Sequence, residues 1–89
     1  MKAIVSVLGK DKKGIIAKVS GALYDMDVNV EDISQTIMQN YFTMIMLVSL
    51  EDCKQTFSEI NEKLNVLGKE IGVDIRIQSE AIFEMMHKI

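Results

Sequence analysis

The sequence predicts a single α/β (α+β) domain in which four strands form one antiparallel sheet and two helices cover one of its faces. Apolar residues change from a two-residue period to a helical period and back again, twice along the chain. The 89 residues contain no proline, no Gly/Ser-rich linker and no low-complexity tract. A chain of this length commonly forms one compact unit, so we expect residues 1–89 to be one domain.

The first predicted strand and helix flank a loop rich in lysine. Ala3–Leu8 is a nearly continuous apolar run that ends at Gly9, which is typical of a strand covered on both faces. The loop extends from Gly9 to Gly14. Apolar residues then recur at spacings of three and four, and they predict an amphipathic helix over residues 14–26.

The second and third strands are predicted to form a hairpin. Apolar residues alternate over residues 28–37, but their phase shifts after Val30, which predicts a β-bulge near Glu31-Asp32. Gln39-Asn40 has the residue types of a tight turn. The third strand, Tyr41–Val48, carries apolar residues on both of its faces.

The rest of the chain predicts a second helix, a fourth strand and a short tail helix. Asp52 and Gln55 have the spacing of a capping box, and Gly72 is a typical helix stop. Val73–Ile77 then alternates with polar residues, and Ser79 is placed to cap the tail helix, which is too short to be stable alone. The apolar stripe that predicts the second helix comprises Cys53, Phe57, Ile60, Leu64, Leu67 and Ile71.

This order of elements, βαββαβ with a tail helix, predicts the ferredoxin-like plait. Right-handed crossovers place both long helices on one face of the sheet and the first and third strands at its centre. Because these two strands are apolar on both faces, the second face would expose a large apolar surface. We expect the tail helix, a second subunit or both to cover it.

Composition and charge exclude several classes of function. The net charge of −3 disfavours nucleic-acid binding, which needs a concentrated basic face, and no apolar run is long enough to span a membrane. With one cysteine, Cys53, and one histidine, His87, we expect no disulfide framework, no metal site and no cofactor. No catalytic constellation is evident, so we predict that the protein is not an enzyme. An unpaired thiol without a targeting signal predicts a cytoplasmic location.

The loop before the first helix combines groups that suit an amino-acid ligand. Gly14 stands at the helix N-terminus, where free N–H groups and a partial positive charge attract a carboxylate. Positive potential comes from Lys10, Lys12, Lys13 and Lys18, and Asp11 could accept a hydrogen bond from a ligand ammonium group. The alternative interpretation is that Asp11 caps the helix and the lysines are solvated loop charges.

Two segments of the chain resemble a known family, the ACT domain. They are Gly9-Lys10-Asp11-Lys12-Lys13-Gly14-Ile15-Ile16-Ala17-Lys18-Val19-Ser20 and Asn29-Val30-Glu31-Asp32-Ile33-Ser34-Gln35. With the pattern around them, the resemblance covers essentially the whole chain. It is similar to small stand-alone members and to the ACT segments of the glycine cleavage transcriptional repressor and formyltetrahydrofolate deformylase.

The resemblance implies a regulatory module that binds an amino acid or another small ligand between paired domains. It implies ligand contacts from the first loop and helix start of one subunit and from the second strand of another, namely Asp11, Lys12, Lys13, Gly14, Ile15, Asn29 and Val30. Two positions depart from the family pattern. Lys13 stands where many members have proline, and Gly9 stands where some serine-responsive members have a side chain that contacts the ligand.

Two main hypotheses for function remain at this stage, beside a lesser third one, direct RNA or DNA binding through the Lys10–Lys18 cluster. The first is a small cytoplasmic, allosteric module that senses an amino acid as a homodimer or a higher oligomer. The alternative is a protein-interaction or oligomerisation module that needs no metabolite and acts as the regulatory subunit of a separate enzyme or transcription factor. An apolar third strand is compatible with both hypotheses, because each requires a subunit or partner on the sheet.

Overall fold

The computed structural model describes residues 1–10 and 14–87. Of these, residues 86 and 87 are described by their backbone only. In this part of the chain the elements are β1 (Lys2–Lys10), α1 (Ile15–Asp25), β2 (Asn29–Met38), β3 (Tyr41–Ser49), α2 (Phe57–Ile71), β4 (Val73–Ser79) and α3 (Glu80–His87). All neighbouring strands are antiparallel, and their order in the sheet is β2-β3-β1-β4. The predicted ferredoxin-like plait, with the first and third strands central, is confirmed.

The core lies between one face of the sheet and the helices α1 and α2. Each helix contributes the apolar stripe that its periodicity predicts, and β1 and β3 contribute every second residue. The buried apolar cluster comprises Ala3, Val5, Val7, Ile15, Val19, Leu23, Met26, Val28, Phe42, Met44, Met46, Val48, Ile60, Leu64, Ile75 and Ile77.

The predicted irregularity in β2 is present. The pairing of β2 with β3 shifts register between Val30 and Asp32, as expected for a bulge that includes Glu31. The carboxylate of Asp32 accepts a hydrogen bond from the Ile33 amide at 2.9 Å. At the far end of β2, Gln39 has a φ of 57°, a left-handed conformation that suits the tight turn into β3.

The predicted start of α2 is wrong by one helical turn. Thr56, rather than Asp52, is the N-cap residue. The Thr56 hydroxyl accepts a hydrogen bond from the Glu59 amide at 3.1 Å, and the Glu59 carboxylate accepts one from the Thr56 amide at 2.9 Å. Asp52 lies instead in a turn, in which the amide of Cys53 donates to the carbonyl of Leu50 at 3.2 Å. A second spacing of the same type, four residues further on, forms the capping box.

Cys53 therefore lies before α2, and the prediction that it belongs to the apolar stripe of this helix is wrong. Its side chain is half-buried, packs against the core, and lies with Sγ 3.8 Å from the carbonyl oxygen of Gln55. The predicted end of α2 is confirmed. Gly72 adopts the left-handed conformation, with φ 75°, and its amide donates to the carbonyl of Gly68.

The second face of the sheet is only partly covered. The Ser79 hydroxyl accepts a hydrogen bond from the Ile82 amide at 3.3 Å, so the predicted cap of the tail helix is confirmed. α3 packs against β1 and β4. The apolar side chains of Leu8, Tyr41 and Ile45 remain exposed by 52%, 53% and 37%. The side chain of His87 lies outside the described residues.

Candidate functional site

Gly14 and Ile15 form the start of α1, as predicted. Gly14 is the N-cap residue, with a φ of 83°, and it provides no side chain to the free amides of the first turn. Ile15 is buried in the core with 3% of its surface exposed. Gly14, and not Asp11, thus occupies the cap position. Asp11, Lys12 and Lys13 lie outside the described residues.

A cleft of about 590 Å³ opens beside Gly14, between the start of α1 and the helix-facing side of β2. Its floor is the buried ring of Phe42 on β3, and its polar side chains are those of Ser20 and Gln35. Of the described residues, the full lining is Gly14, Ile15, Ile16, Ala17, Ser20, Gln35, Ile37 and Phe42. None of these carries a charge, so the cleft combines an apolar wall with two neutral polar groups and the end of a helix.

The cleft exists because β2 lies at the edge of the sheet, beyond the width that the helices cover. Ile37 has its side chain on the helix-facing side, opposite buried Phe42, yet 59% of its surface is exposed. Ile33, on the same side of the strand, is 43% exposed. A side chain on an interior strand at the same height would be buried, so the apolar wall of the cleft is a consequence of strand order.

Asn29 and Val30 lie at the opposite end of the sheet from Gly14. Asn29 pairs with Ser49, which pairs with Lys2, whereas the cleft lies near Lys10 at the other end of β1. Eight residue steps along β1 separate the two ends, which corresponds to roughly 26 Å. Within one copy of the chain, Asn29 and Val30 therefore do not meet the described residues of the other predicted group, Gly14 and Ile15.

The surroundings of Asn29 differ from those of the cleft. Asn29 borders a smaller pocket of about 190 Å³, together with Tyr24, Asp27, Val28 and Asp52. Val30 is half-buried and packs against the core. This pocket is acidic, whereas the described residues that line the cleft beside Gly14 carry no charge. The two pockets therefore favour ligands of different chemistry.

The strongest electrostatic contact near Asn29 is an ion pair. The Lys2 ammonium lies 2.9 Å from the Glu31 carboxylate. The hydrogen bond with Glu31, together with the attraction of its charge, raises the pKa of Lys2 above its usual value. Both side chains are partly exposed, so this pair orients the bulged part of β2 without adding much stability.

Reasoning from the sequence missed six of the described residues that line the cleft: Ile16, Ala17, Ser20, Gln35, Ile37 and Phe42. Their residue types do not indicate a binding site, because four are ordinary apolar residues of a helix or strand and two are neutral polar residues. Only the order of the strands could have indicated the residues of β2 among them. Because β2 is the edge strand beside the first helix, alternate residues of β2 lie near the end of β1 where the loop begins.

Within the described part of the chain, no group of three or more His, Cys, Asp or Glu side chains is arranged to hold a metal ion. No helix in the described ranges is long and apolar enough to cross a membrane.

A class of protein is defined by the order of the strands and by the cleft at the first helix, together with the two segments that resemble the ACT domain. A model of the ACT domain matches residues 2–78, and the chain belongs to this family. The ACT domains are regulatory rather than catalytic. Among individual proteins, the chain is 53% identical over all 89 residues to a UPF0237 protein of Clostridium acetobutylicum, with full coverage of both.

Solved structures agree with this assignment. An ACT domain protein from Streptococcus pneumoniae superposes with a TM-score of 0.83 and 49% identity, covering 94% of each chain. The regulatory subunit of aspartate kinase from Thermus thermophilus gives a TM-score of 0.66 with 28% identity, covering 86% of this chain and 50% of that one.

The predicted resemblance to two longer proteins is also confirmed at the level of the fold. A formyltetrahydrofolate deformylase from Pseudomonas syringae gives a TM-score of 0.80 at 21% identity, and a glycine cleavage system transcriptional repressor gives 0.73 at 19%. This chain covers 27% and 44% of those chains, respectively.

Proposed function

We propose that this chain is a regulatory module that binds a small molecule, an amino acid, at an interface between two or more copies of itself. Membership of the ACT family supports the regulatory role. The similarity to the regulatory subunit of aspartate kinase from Thermus thermophilus supports it as well. In this role the module is not an enzyme, requires no cofactor, and acts on a separate metabolic enzyme or regulator.

The observation that carries this proposal is the cleft beside Gly14. Its volume of about 590 Å³ lies within the range of small-molecule sites. The first-turn amides of α1 suit a ligand carboxylate, since helix N-termini attract anions. Ile16 and Ile37 would contact an apolar part of the ligand, and Ser20 and Gln35 would provide hydrogen bonds.

The proposed ligand contacts come from two copies. One copy provides the loop and the helix start, namely Asp11, Lys12, Lys13, Gly14 and Ile15, and the other provides Asn29 and Val30. The separation of roughly 26 Å within one chain, between the end of the sheet that carries Asn29 and the end beside Gly14, supports a shared site, because a small ligand cannot span it. The Asp11 carboxylate would accept hydrogen bonds from the ligand ammonium group.

Regulation follows from the position of the ligand between copies. A ligand that binds one arrangement of the subunits more tightly shifts the equilibrium toward it, by no more than its differential affinity. A partner enzyme or regulator that recognises one arrangement would then respond to the ligand. We expect this to occur in the cytoplasm, where a free cysteine such as Cys53 stays reduced.

Calorimetry against a panel of amino acids tests the proposal. We expect one of them to bind, and we expect Asp11→Ala and Asn29→Ala each to weaken binding. Asp25→Ala, at the exposed end of α1, is the matched control and should bind like the unmodified protein. No binding of any amino acid, purine or folate would contradict the sensing role.

A mixing experiment tests whether the site is shared. Each Asp11→Ala or Asn29→Ala homodimer has two damaged sites. A mixed dimer would instead have one intact and one doubly damaged site. Random exchange of subunits should therefore restore strong binding at about one site in four. If mixing restores nothing although subunits exchange, both residues act within the same copy or Asn29 does not contact the ligand.

A second function is favoured by one specific observation, the uncovered apolar side chains of Leu8, Tyr41 and Ile45 on the second face of the sheet. Such a surface suits a protein partner that binds whether or not a metabolite is present. Pull-down with ligand-stripped protein separates the two functions. Capture of the same partner at equal yield with and without amino acids would favour the interaction module.

A further inference from the structure

The face of the sheet opposite α1 and α2 is covered at one end and open at the other. On this face β1 carries Ile4 and Leu8, which are four residue steps or roughly 13 Å apart. Ile4 is 8% exposed, whereas Leu8 is 52% exposed. The difference follows from the position of α3. This helix begins directly after Ser79, which pairs with Ala3 at the covered end, and it packs against β1 and β4.

The open end carries a group of exposed apolar side chains on three strands. Besides Leu8 it contains Tyr41 and Ile45 of β3 and Met38 of β2, which pairs with Tyr41. A helix with its side chains is about 10–12 Å wide, and strands are about 4.7–4.9 Å apart, so one helix covers about two strands. Since α3 covers β1 and β4, the remaining width is that of one more helix. We name these four residues the second-face patch.

α3 has an exposed apolar outer side as well. Phe83 is half-buried, whereas Ile82 and Met85 are 53% and 76% exposed. A helix that is apolar on more than one side is typical of a helix that is buried all round. Within one copy, the described residues provide a sheet beneath α3 but nothing above Met85. The outer side of this helix therefore fits a second apolar surface.

We propose that the second-face patch binds α3 of a second copy of the chain, and that two copies exchange this contact about a two-fold axis. Each α3 would then lie between two sheets, with its inner side on its own sheet and its outer side on the patch of the other copy. In a two-fold interface, a contact from one copy to the other is always matched by the reverse contact. One such interface therefore covers both patches and the outer sides of both α3 helices.

Size favours a second copy as the occupant. From Ile45 to Tyr41 the patch extends over four residue steps of β3, or roughly 13 Å. α3 has eight residues, which corresponds to a length of about 12 Å. The helix thus matches the open part of the sheet in length as well as in width. An unrelated partner would have to cover the patch and the outer side of α3 separately to bury the same apolar surface.

Charge also favours this occupant. Lys10 is exposed at the edge of the patch, where it pairs with Tyr41 and lies on the same face as Leu8. α3 carries an exposed carboxylate, that of Glu84. Contact between the patch and α3 would therefore bring opposite charges near one another, which favours this pairing of surfaces over one with like charges.

The proposed contact is separate from the candidate ligand site. Ile37 and Phe42, which line the cleft, lie on the helix-facing side of the sheet. Their neighbours Met38 and Tyr41 lie on the opposite face, because successive residues of a strand alternate. The inference therefore goes beyond the proposed function and requires no ligand. If copies also associate at the ligand site, the two surfaces together give an assembly larger than a dimer.

Two complementary variants test the contact. Leu8→Glu places a negative charge in the second-face patch, and Met85→Lys places a positive charge on the outer side of α3, both at exposed positions. Either variant alone brings an unpaired charge against an apolar surface in both contacts of a pair. Its dissociation constant, measured by sedimentation, should therefore rise by about tenfold or more.

An equimolar mixture of the two variants tests whether the exchange is reciprocal. A mixed pair has one unmodified contact and one contact between the opposite charges of Glu and Lys. The mixture should therefore associate more tightly than either variant alone. Val66→Glu, on the exposed side of α2, is the matched control and should associate like the unmodified chain. Far-UV circular dichroism verifies that each variant is folded.

Three results of these measurements would overturn the proposal. The first is an unmodified chain that sediments as a monomer of 10.0 kDa at high micromolar concentration. The second is a dissociation constant that neither Leu8→Glu nor Met85→Lys changes. The third is a mixture that associates no more tightly than its components, because the two positions would then not meet between copies.

Photo-crosslinking identifies the surface that α3 contacts. Met85→p-benzoylphenylalanine is mixed with an unmodified chain labelled with ¹⁵N, so that mass spectrometry separates adducts between copies from adducts within one copy. We expect adducts between copies on the peptides that contain Leu8 or residues 38–45. Adducts within one copy only, or on α1 or α2 of the other copy, would overturn the proposed contact.

This inference and the proposed function fail in different ways. If Met85→Lys lowers the mass of the assembly and still binds an amino acid in calorimetry, both are supported. Loss of association in a chain that binds no small molecule would support the α3 contact and contradict the sensing role. An amino-acid binder whose assembly is unaffected by both charged variants would support sensing and overturn the α3 contact.

Discussion

The same chemical change, glycine to alanine, should have opposite effects at two positions of the first helix. Gly14→Ala places a side chain at a φ of 83°, whereas Gly21→Ala places one inside α1 on its exposed side. At both positions no described atom lies within 4 Å of the added Cβ. The comparison therefore isolates the conformational effect from steric clashes.

The expected magnitudes follow from backbone geometry. An L-residue in the left-handed conformation costs about 1–2 kcal/mol, so Gly14→Ala should destabilise the protein by roughly that amount. In the interior of a helix, alanine is more favourable than glycine by about 0.8–1.0 kcal/mol, so Gly21→Ala should stabilise it. In a domain of this size, each kcal/mol corresponds to a shift of about 4–8 °C in Tm.

Urea denaturation monitored by far-UV circular dichroism measures both variants, at one fixed protein concentration because association affects apparent stability. Gly14→Asn should be less destabilised than Gly14→Ala, since asparagine tolerates the left-handed conformation better. If Gly14→Ala is as stable as the unmodified protein, the loop does not require the conformation described here. The reasoning about the cap position would then be wrong.

Three further predictions concern the capping box and the core. Thr56→Ala should destabilise the protein by about 1 kcal/mol, because it leaves the Glu59 amide without its acceptor, whereas Asp52→Ala should have little effect in the same denaturation assay. The hydrogen bond from the Thr56 amide lowers the pKa of Glu59. The stabilisation from this carboxylate should therefore be present above its unfolded pKa of about 4.3 and lost as the pH falls through the folded value. Glu59→Gln should lack this part of the pH dependence, as measured by Tm between pH 2 and 7. Leu64→Ala should cost about 2–5 kcal/mol because Leu64 is fully buried, whereas Val66→Ala should change stability by less than about 0.5 kcal/mol.

Each of these has an outcome that contradicts it. Equal losses for Thr56→Ala and Asp52→Ala would mean that the helix begins earlier than described. A Glu59→Gln variant with the same acid dependence as the unmodified protein would show that other carboxylates dominate it. A small effect of Leu64→Ala would mean that the core between α2 and the sheet is loosely packed.

The alternation of apolar residues was sufficient to predict the sheet and both long helices. The bulge between Val30 and Asp32 was visible as a change of phase, since one extra residue inverts the faces of a strand. The start of α2 was not predicted correctly, because Asp52–Gln55 and Thr56–Glu59 both have capping spacing. Only the turn at Leu50–Cys53 decides between them.

The candidate site also contains features that could be predicted from the sequence and features that could not. The sequence indicated the helix start at Gly14, because glycine at that position and the lysine-rich loop are local features. It did not indicate Gln35, Ile37 or Phe42 as lining residues, because their contribution depends on which strand lies at the edge.

The class of fold could therefore be predicted from the amino-acid sequence, since periodicity and glycine positions act over a few residues and are read directly from the chain. The location of the cleft, and of Asn29 at the other end of the sheet from Gly14, became apparent only from the arrangement of the strands. The physical reason is that these relations depend on strand order and direction, which bring together residues far apart in the chain. The local pattern of residues does not show which distant parts of the chain will be brought together.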